Sequence, residues 1–245
     1  MTIKPKRLDL CVMDMRGFSR AYAKEVILAG LVLVDGKAVT KPGSFVFGDN
    51  IQIMAPDMPY VSRGGQKLAK ALEFFNIDLK GLVCLDAGAS TGGFTDCMLK
   101  SGAAFVHAVD VGKGQMAGVL LDDPRVALYE NTDIREFCPD TKVDFVACDL
   151  SFISLAKVLP SLANLVKPGG GLICLLKPQF ETDGKFLNKR GIVKTKMAEE
   201  AKEAAFLSFT KGLKNSGFCL IGSIESPILG GGGNKEYLAY AKLEG

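Results

Sequence analysis

"LDAGASTGGFTDCML", residues 85–99, joins an apolar run ending at Asp86 to a glycine-rich turn and then to a helix-like pattern. In an open parallel sheet such a passage holds ligands, because glycine lets the backbone come close to them. Three ligand classes compete for it: a phosphate, a dinucleotide, or a molecule without phosphate. A phosphate loop needs GxxxxGK[ST], and no lysine follows Gly93. A nicotinamide turn is spaced G-x-G-x-x-G, whereas Gly88 is followed here by Ser90 and then by Gly92-Gly93. Asp86 heads the turn, where a carboxylate opposes a pyrophosphate and suits a cationic amino-acid ligand.

Outward from this turn, strand-like and helix-like stretches alternate. Strands are expected at 82–86, 104–109, 125–129, 143–148 and 170–176, with helical stretches at 92–101, 114–121, 154–165 and 196–215. That alternation builds a parallel sheet covered on both faces. The chain then changes habit: "FCLIGSIES" and "KEYLAYAKL" are two strands with no helix between them, so one strand runs backwards. The expected fold is α/β, a Rossmann-like class I methyltransferase sheet, mostly parallel with one antiparallel strand. The second strand ends in "AVDVG", which sets Asp110 twenty-two residues after Gly88, where a carboxylate accepts hydrogen bonds from ribose hydroxyls. S-adenosylmethionine has a ribose, a sulfonium and an ammonium but no phosphate, and fits best. The candidate cofactor residues are Asp86, Gly88, Ser90, Gly92, Gly93, Phe94, Asp110, Val111, Asp133 and Asp149. Asp133, in "NTDIREF", reads equally as a helix N-cap, and the two roles are compatible.

Residues 7–54 read as a small separate domain. "SRAYAKEVILAG" has a Ser19 cap, apolar residues at helical spacing and Gly30 as a stop. "LVLVDGKAV" is a hairpin about Asp35-Gly36, and "DNIQIM" is a last strand. The prolines of "APDMPY" mark a linker, dividing the chain into 1–58 and 59–245, and a helix begins near Gly65 with Leu68, Leu72 and Phe75 on one face. Formal charge is +3 overall, but residues 1–70 carry eleven basic against six acidic side chains, so the excess of five lies there and the remainder nets −2. This suits a polyanion-binding appendage; scattered solvated lysines are the plainer reading. Seven cysteines form no CxxC pair and accompany a single histidine, so reduced buried thiols in a cytoplasmic protein are expected and no metal site. Apolar runs fall far short of the ~20 residues that span a bilayer, and no secretory h-region follows the start.

The end of the fourth strand narrows the choice of methyl acceptor. "CDLSF" (148–152) lacks the Asn/Asp-Pro-Pro-aromatic run of amino methyltransferases. Cys148 lacks the Pro-Cys context of a base-methylating thiol and reads as core. Asp149 and Lys177 instead end adjacent strands at one sheet edge, an arrangement that serves a hydroxyl acceptor. A surface lysine is the plainer reading of Lys177 alone; its pairing with Asp149 and the acid in "KPQFE" argue against it.

"SRGGQKL", "LDAGASTGGFTDCML", "DLSFISL", "KPQFE" and "GNKEYLAY", in this order, resemble the hemolysin/TlyA family of ribosomal RNA 2′-O-methyltransferases, whose catalytic domain is like that of the FtsJ rRNA methyltransferase. "RLDL…SRAYAKEVILAGLVLVDGKAV" resembles the S4-type RNA-binding fold, an α+β domain. The resemblance implies a catalytic tetrad of Lys67, Asp149, Lys177 and Glu236, in which Lys177 meets the 2′-hydroxyl, Asp149 orients Lys177, and Lys67 and Glu236 hold the ribose. It implies a cytidine ribose in large-subunit ribosomal RNA as substrate, and ribosomal RNA or a ribosomal subunit as partner. The RNA-binding candidates are Arg7, Arg16, Arg20, Lys24 and Arg63. Glu236 by itself reads as an exposed strand residue. An inactive RNA-binding module and a membrane-lytic hemolysin are the alternatives. The tetrad speaks against the first, and the lack of spanning segments or lipid-facing alternation against the second.

Overall fold

The computed structural model describes residues 5–18, 20–47, 50–55 and 59–245. The chain divides into two units, Met1–Arg63 and Gly64–Gly245. Arg63 Nη2 lies 2.6 Å from Glu25 Oε1, which ties it to the first unit.

The first unit contains β1 (Lys6–Arg7), α1 (Leu8–Arg16), α2 (Arg20–Leu28), β2 (Val32–Val34), β3 (Lys37–Ala38), β4 (Phe45–Val46) and β5 (Ile51–Ile53). Leu8, Val12, Ala23, Val26, Ile27 and Val32 supply most of its core. The stop at Gly30 is a Schellman cap: φ is +73°, and Gly30 and Leu31 donate to the carbonyls of Ile27 and Val26. Asp35 and Gly36 both have positive φ, the two-residue hairpin turn expected between β2 and β3. The short β1–β4 pair has no counterpart in the sequence reading, since two residues such as Lys6-Arg7 carry no periodicity. The expected Ser19 cap lies outside the described residues.

The second unit contains α3 (Gly64–Phe74), β6 (Val83–Ala87), α4 (Gly93–Lys100), β7 (Phe105–Val109), α5 (Gly118–Leu121), β8 (Val126–Tyr129), β9 (Val143–Cys148), α6 (Leu159–Leu165), β10 (Val166–Leu176), α7 (Pro178–Glu181), α8 (Ala198–Asn215), β11 (Phe218–Glu225) and β12 (Tyr237–Leu243). Seven strands form one sheet in the order β11-β12-β10-β9-β6-β7-β8. β12 is antiparallel to both neighbours and the other pairings are parallel. The order reverses at β6, which lies between β7 and β9, so the ligand crevice opens at the carboxyl ends of β6 and β9. One main core lies between the sheet and α6 and α8: Val146, Leu159, Leu162, Leu172, Phe209 and Ala239 are all at most 1% exposed.

Two expected helices come out shorter. The stretch 114–121 is helical only over Gly118–Leu121. In 154–165 a 3-10 turn at Leu155–Lys157 precedes α6, whose second residue is Pro160. Proline fits only the first turn of a helix, so α6 starts there. β10 starts four residues earlier than expected, with a register irregularity between Val166 and Gly171 where "KPGG" interrupts regular pairing. Five of the seven cysteines are buried and all seven are free thiols.

Candidate active site

Two cavities meet at the carboxyl ends of β6, β9 and β10. The first, of 440 Å³, follows β6 and β7 and is lined by Gly88, Ser90, Asp110, Val111, Gln115 and Asp133, among others. The second, of 830 Å³, is lined by Lys67, Lys177, Glu236 and the segment after α7. Gly88, Ser90, Asp149, Ser151 and Phe152 border both, so the two cavities adjoin.

The glycine turn is shaped by backbone need. Gly88 has φ +91°, and a Cβ there would fall 2.7 Å from the Asp149 carbonyl oxygen. Its N–H donates to the Val109 carbonyl at 2.8 Å, which stitches the ends of β6 and β7 together. Ser90 takes the left-handed conformation, and its N–H donates to Asp110 Oδ2 at 2.8 Å. Asp110 Oδ1 accepts from Gly112 N–H at 2.6 Å. The carboxylate is thus fixed by two backbone donors while it faces the cavity. Val111 beside it is 69% exposed, an apolar surface on the cavity wall suited to a flat ring.

Asp133 lines the same cavity. It accepts from Arg135 N–H and Nε at 2.9 Å and from Nη2 at 2.5 Å, and the Arg135 guanidinium holds its carboxyl down at about 2. It therefore caps a turn and stays charged at the cavity edge.

Asp86, Gly92, Gly93 and Phe94 line neither cavity. Asp86 is fully buried and accepts from Thr95 N–H at 2.8 Å and Thr95 Oγ1 at 2.6 Å, which anchors the first turn of α4. Among the described residues its other oxygen has no partner, and burial pushes its carboxyl up to about 7. Gly92 has φ +92°, a backbone conformation that favours glycine, and a Cβ there would fall 2.3 Å from Leu120 Cδ1. Gly93 and Phe94 are buried.

In the second cavity four charged side chains form two pairs. Lys177, 6% exposed, donates from Nζ to the Leu150 carbonyl at 2.9 Å and to Ser151 Oγ at 3.0 Å. Asp149 Oδ1 lies 2.6 Å from the same Nζ, an ion-pair contact off the hydrogen-bond angle. Lys67 Nζ donates to Glu236 Oε2 at 2.6 Å, with Glu236 3% and Lys67 11% exposed. Lys67 comes from the first turn of α3, and Glu236 immediately precedes β12. Cys148 is buried next to Cys174 on the neighbouring strand and lines neither cavity. Glu181, the acid of "KPQFE", is also structural: buried, with its carboxyl pushed up by desolvation, it accepts from Ser154 Oγ and Leu155 N–H.

Sequence reasoning does not single out Ser151, Phe152, Phe180, Arg190 or Asn234, all on the second cavity. Phe152 is 90% exposed with φ +64°, a conformation that is a genuine outlier for a bulky residue. Its ring lies 5.1 Å from that of Phe180. An exposed aromatic held under strain between two cavities offers a face for stacking.

In the first unit, Arg7 and Arg20 converge on the buried Asp9. Arg7 donates to both of its oxygens at 2.9 Å and Arg20 Nε to one at 3.3 Å, and the Arg7 bonds pull its carboxyl down to about 2. Arg16 donates to the Ala55 carbonyl at 3.2 Å and lies over the Phe18 ring. Lys24 is exposed.

Comparison with known proteins agrees with this geometry. Residues 60–243 match the FtsJ-like methyltransferase family. The chain belongs to that family. Residues 6–47 match the S4 domain. The FtsJ-like assignment fits the sheet order and the carboxylate-lined first cavity, which has no cation placed for a pyrophosphate. Among the relatives, the 16S/23S rRNA (cytidine-2′-O)-methyltransferase TlyA of Mycobacterium tuberculosis is 40% identical over 231 residues, 92% of this chain and 85% of that protein. Hemolysin A of Brachyspira hyodysenteriae is 38% identical over 227 residues, 91% of this chain and 93% of that one. A solved structure from Streptococcus thermophilus, provisionally assigned as a hemolysin, superposes with a TM-score of 0.79 at 37% identity, covering 99% of this chain and 90% of that one. Among the described residues no helix is long and apolar enough to cross a membrane.

Proposed function

We propose that this chain is a cytoplasmic RNA methyltransferase. It moves the methyl group of S-adenosylmethionine to the 2′-hydroxyl of a cytidine ribose in ribosomal RNA, with the large subunit as its target. The observation that carries this reading is the meeting of a carboxylate-lined nucleoside cavity with a cavity holding two Lys–carboxylate pairs, across Gly88, Asp149 and Phe152.

The cofactor fits the first cavity by its chemistry. Asp110 takes the ribose hydroxyls, Val111 covers an adenine face, and the acidic lining favours a cation. When bound, S-adenosylmethionine supplies a methyl carbon activated by a neighbouring sulfonium. The protein's task is then alignment and proton management. Lys177 Nζ offers a hydrogen bond to the incoming 2′-oxygen, turning its lone pair toward the methyl carbon, and Asp149 holds that lysine in place. With the cofactor bound, the Lys177–Asp149 pair would take up the proton that the 2′-hydroxyl gives up on methylation. Lys67 and Glu236 fix the ribose, and Phe152 stacks on a base. Holding reactants in a near-attack geometry supplies much of such a rate, and a proton-transfer group typically adds ~10²–10⁴-fold. The first unit supplies phosphate contacts through Arg7, Arg16, Arg20, Lys24 and Arg63.

The test is incubation of the purified chain with methyl-labelled S-adenosylmethionine and ribosomal subunits, followed by nucleoside analysis. Label in 2′-O-methylcytidine of the large subunit is expected. Label confined to a base, or to protein, rejects the proposal.

A further inference from the structure

The segment between α7 and α8, residues 182–197, carries Lys185, Lys189, Arg190, Lys194 and Lys196 against one acid, Asp183. All five cations are exposed. Among the described residues, none of them has an acidic partner, so five uncompensated cations stand close together in sequence.

The segment is nevertheless an ordered hairpin. Leu187 bridges Val193, Asn188 N–H donates to the Ile192 carbonyl at 2.8 Å, and Lys194 N–H donates to the Phe186 carbonyl at 3.0 Å. Asn188 Oδ1 accepts from Arg190 N–H at 2.8 Å and closes the turn. Phe186, 5% exposed, roots the hairpin in the unit. A second clasp comes from the glycine run before β12: Asn234, 5% exposed, accepts from Val193 N–H at 2.9 Å and donates to the Gly191 carbonyl at 3.2 Å. Asn234 is two residues from Glu236, so the clasp fixes the hairpin to the strand end that carries a tetrad residue. Arg190 and Asn234 both line the second cavity with Lys67, Lys177 and Glu236.

Five like charges concentrated on a rigid hairpin repel one another, and a polyanion relieves that repulsion. Geometry selects which one. In a polynucleotide the 2′-hydroxyl is vicinal to the oxygen that carries the 3′-phosphate, so a cation at the rim of the ribose cavity meets that phosphate first. We propose that residues 182–197 form a phosphate-binding hood. Arg190 takes the phosphate 3′ to the reacting ribose, Lys189 and Lys194 take the next ones, and Asn234 is the positioning residue that holds the hood over the cavity. The hood rests on the proposed RNA methyltransferase function.

The test uses the full chain and a short single-stranded RNA, with affinity measured across a salt series. Each phosphate contact on a single strand contributes about 0.7 to the slope of log affinity against log salt. Lys189→Ala/Lys194→Ala is expected to lower the slope by about 1.4, and Arg190→Ala by about 0.7 with a roughly tenfold higher KM for RNA. The Kd for S-adenosylmethionine stays at the wild-type value and reports that the fold is intact. Lys189→Arg/Lys194→Arg is expected to keep the wild-type slope. Asn234→Ala is expected to raise KM for RNA while the binding slope stays high, because the charges remain but are no longer aimed. A wild-type slope in the double alanine variant overturns the proposal. If instead the slope falls as expected but the wild-type chain methylates no RNA, the hood stands as an RNA-binding surface and the methyl-transfer reading fails.

Discussion

The Lys67–Glu236 pair should behave as a coupled unit, with its stability and its chemistry separable. Nζ and Oε2 are 2.6 Å apart, and the side chains are 11% and 3% exposed. Glu236 Oε1 fills the space beside Gly230, where a Cβ would fall 1.9 Å from it. Removing one partner of a buried pair strands the other charge and costs ~3–5 kcal/mol. The partial exposure of Lys67 places this pair at the lower end, about 3 kcal/mol for Lys67→Met or Glu236→Gln alone. The double variant removes both charges and strands neither, so its cost should fall below that of either single, and well below their total. Hydrogen exchange of the β12 amides reads the opening of this unit without interference from the first unit. Methyl transfer should fall by at least ~10²-fold in all three variants, with no recovery in the double. Additive stability losses would show that the two charges are not coupled. A double variant with wild-type turnover would show that the pair only holds the fold together.

Gly88→Ala places a Cβ 2.7 Å from the Asp149 carbonyl at a φ of +91°, so about 1–3 kcal/mol of strain and a displaced Asp149 are expected. Calorimetry should show cofactor affinity reduced at least roughly tenfold, and an unchanged affinity would clear the turn of that role. Asp110→Ala removes the acceptor for Ser90 and Gly112 N–H as well as for the cofactor ribose, and should weaken S-adenosylmethionine by about 1.5–3 kcal/mol without unfolding the chain. Asp86 gives a pH dependence with a definite sign. Its folded pKa, about 7, lies above the ordinary aspartate value of 3.8, so the folded state holds the extra proton between those values. Its contribution to stability is then complete below about pH 4 and is lost as pH rises through 7, by up to about 4 kcal/mol at 1.36 kcal/mol per unit. Asp86→Asn should flatten that slope in urea titrations of the cofactor-free protein; an unaltered slope would mean that another group is responsible.

Much of this architecture is legible because parallel strands announce themselves locally. β6 to β9 each pair an apolar run with a turn signal, and the helix-free connection of β11 to β12 marks the one reversed strand. The Asp35-Gly36 turn and the Gly30 stop are equally local, since positive φ calls for glycine or a short polar residue. The features that escape depend on distant partners. Glu236 looks like an exposed strand residue until β12 is inserted between β10 and β11, and only the resemblance points to it. Phe152 stands in a quoted motif, yet neither its exposure nor its strained backbone has a sequence signature. The hairpin 182–197 has no strand-like run, because it is held by Asn188 and Asn234 side chains in place of a regular ladder. Asp86 reads in the sequence as facing the ligand, but its strand position alone does not tell a cavity-facing carboxylate from one turned to the helix N-terminus.

Transfer to ribose is most directly tested by the alkali stability of the labelled RNA product. A 2′-O-methyl group removes the nucleophile that alkali uses to cleave the adjacent phosphodiester, whereas a methyl group on the base leaves that bond open to attack. RNA labelled by the wild-type chain should yield its label in an alkali-resistant dinucleotide. Lys177→Ala should yield no labelled product while binding S-adenosylmethionine within a few-fold of wild type, since Lys177 lines the second cavity and not the first. Label recovered in alkali-released mononucleotides would contradict the ribose assignment and turn attention to base methylation.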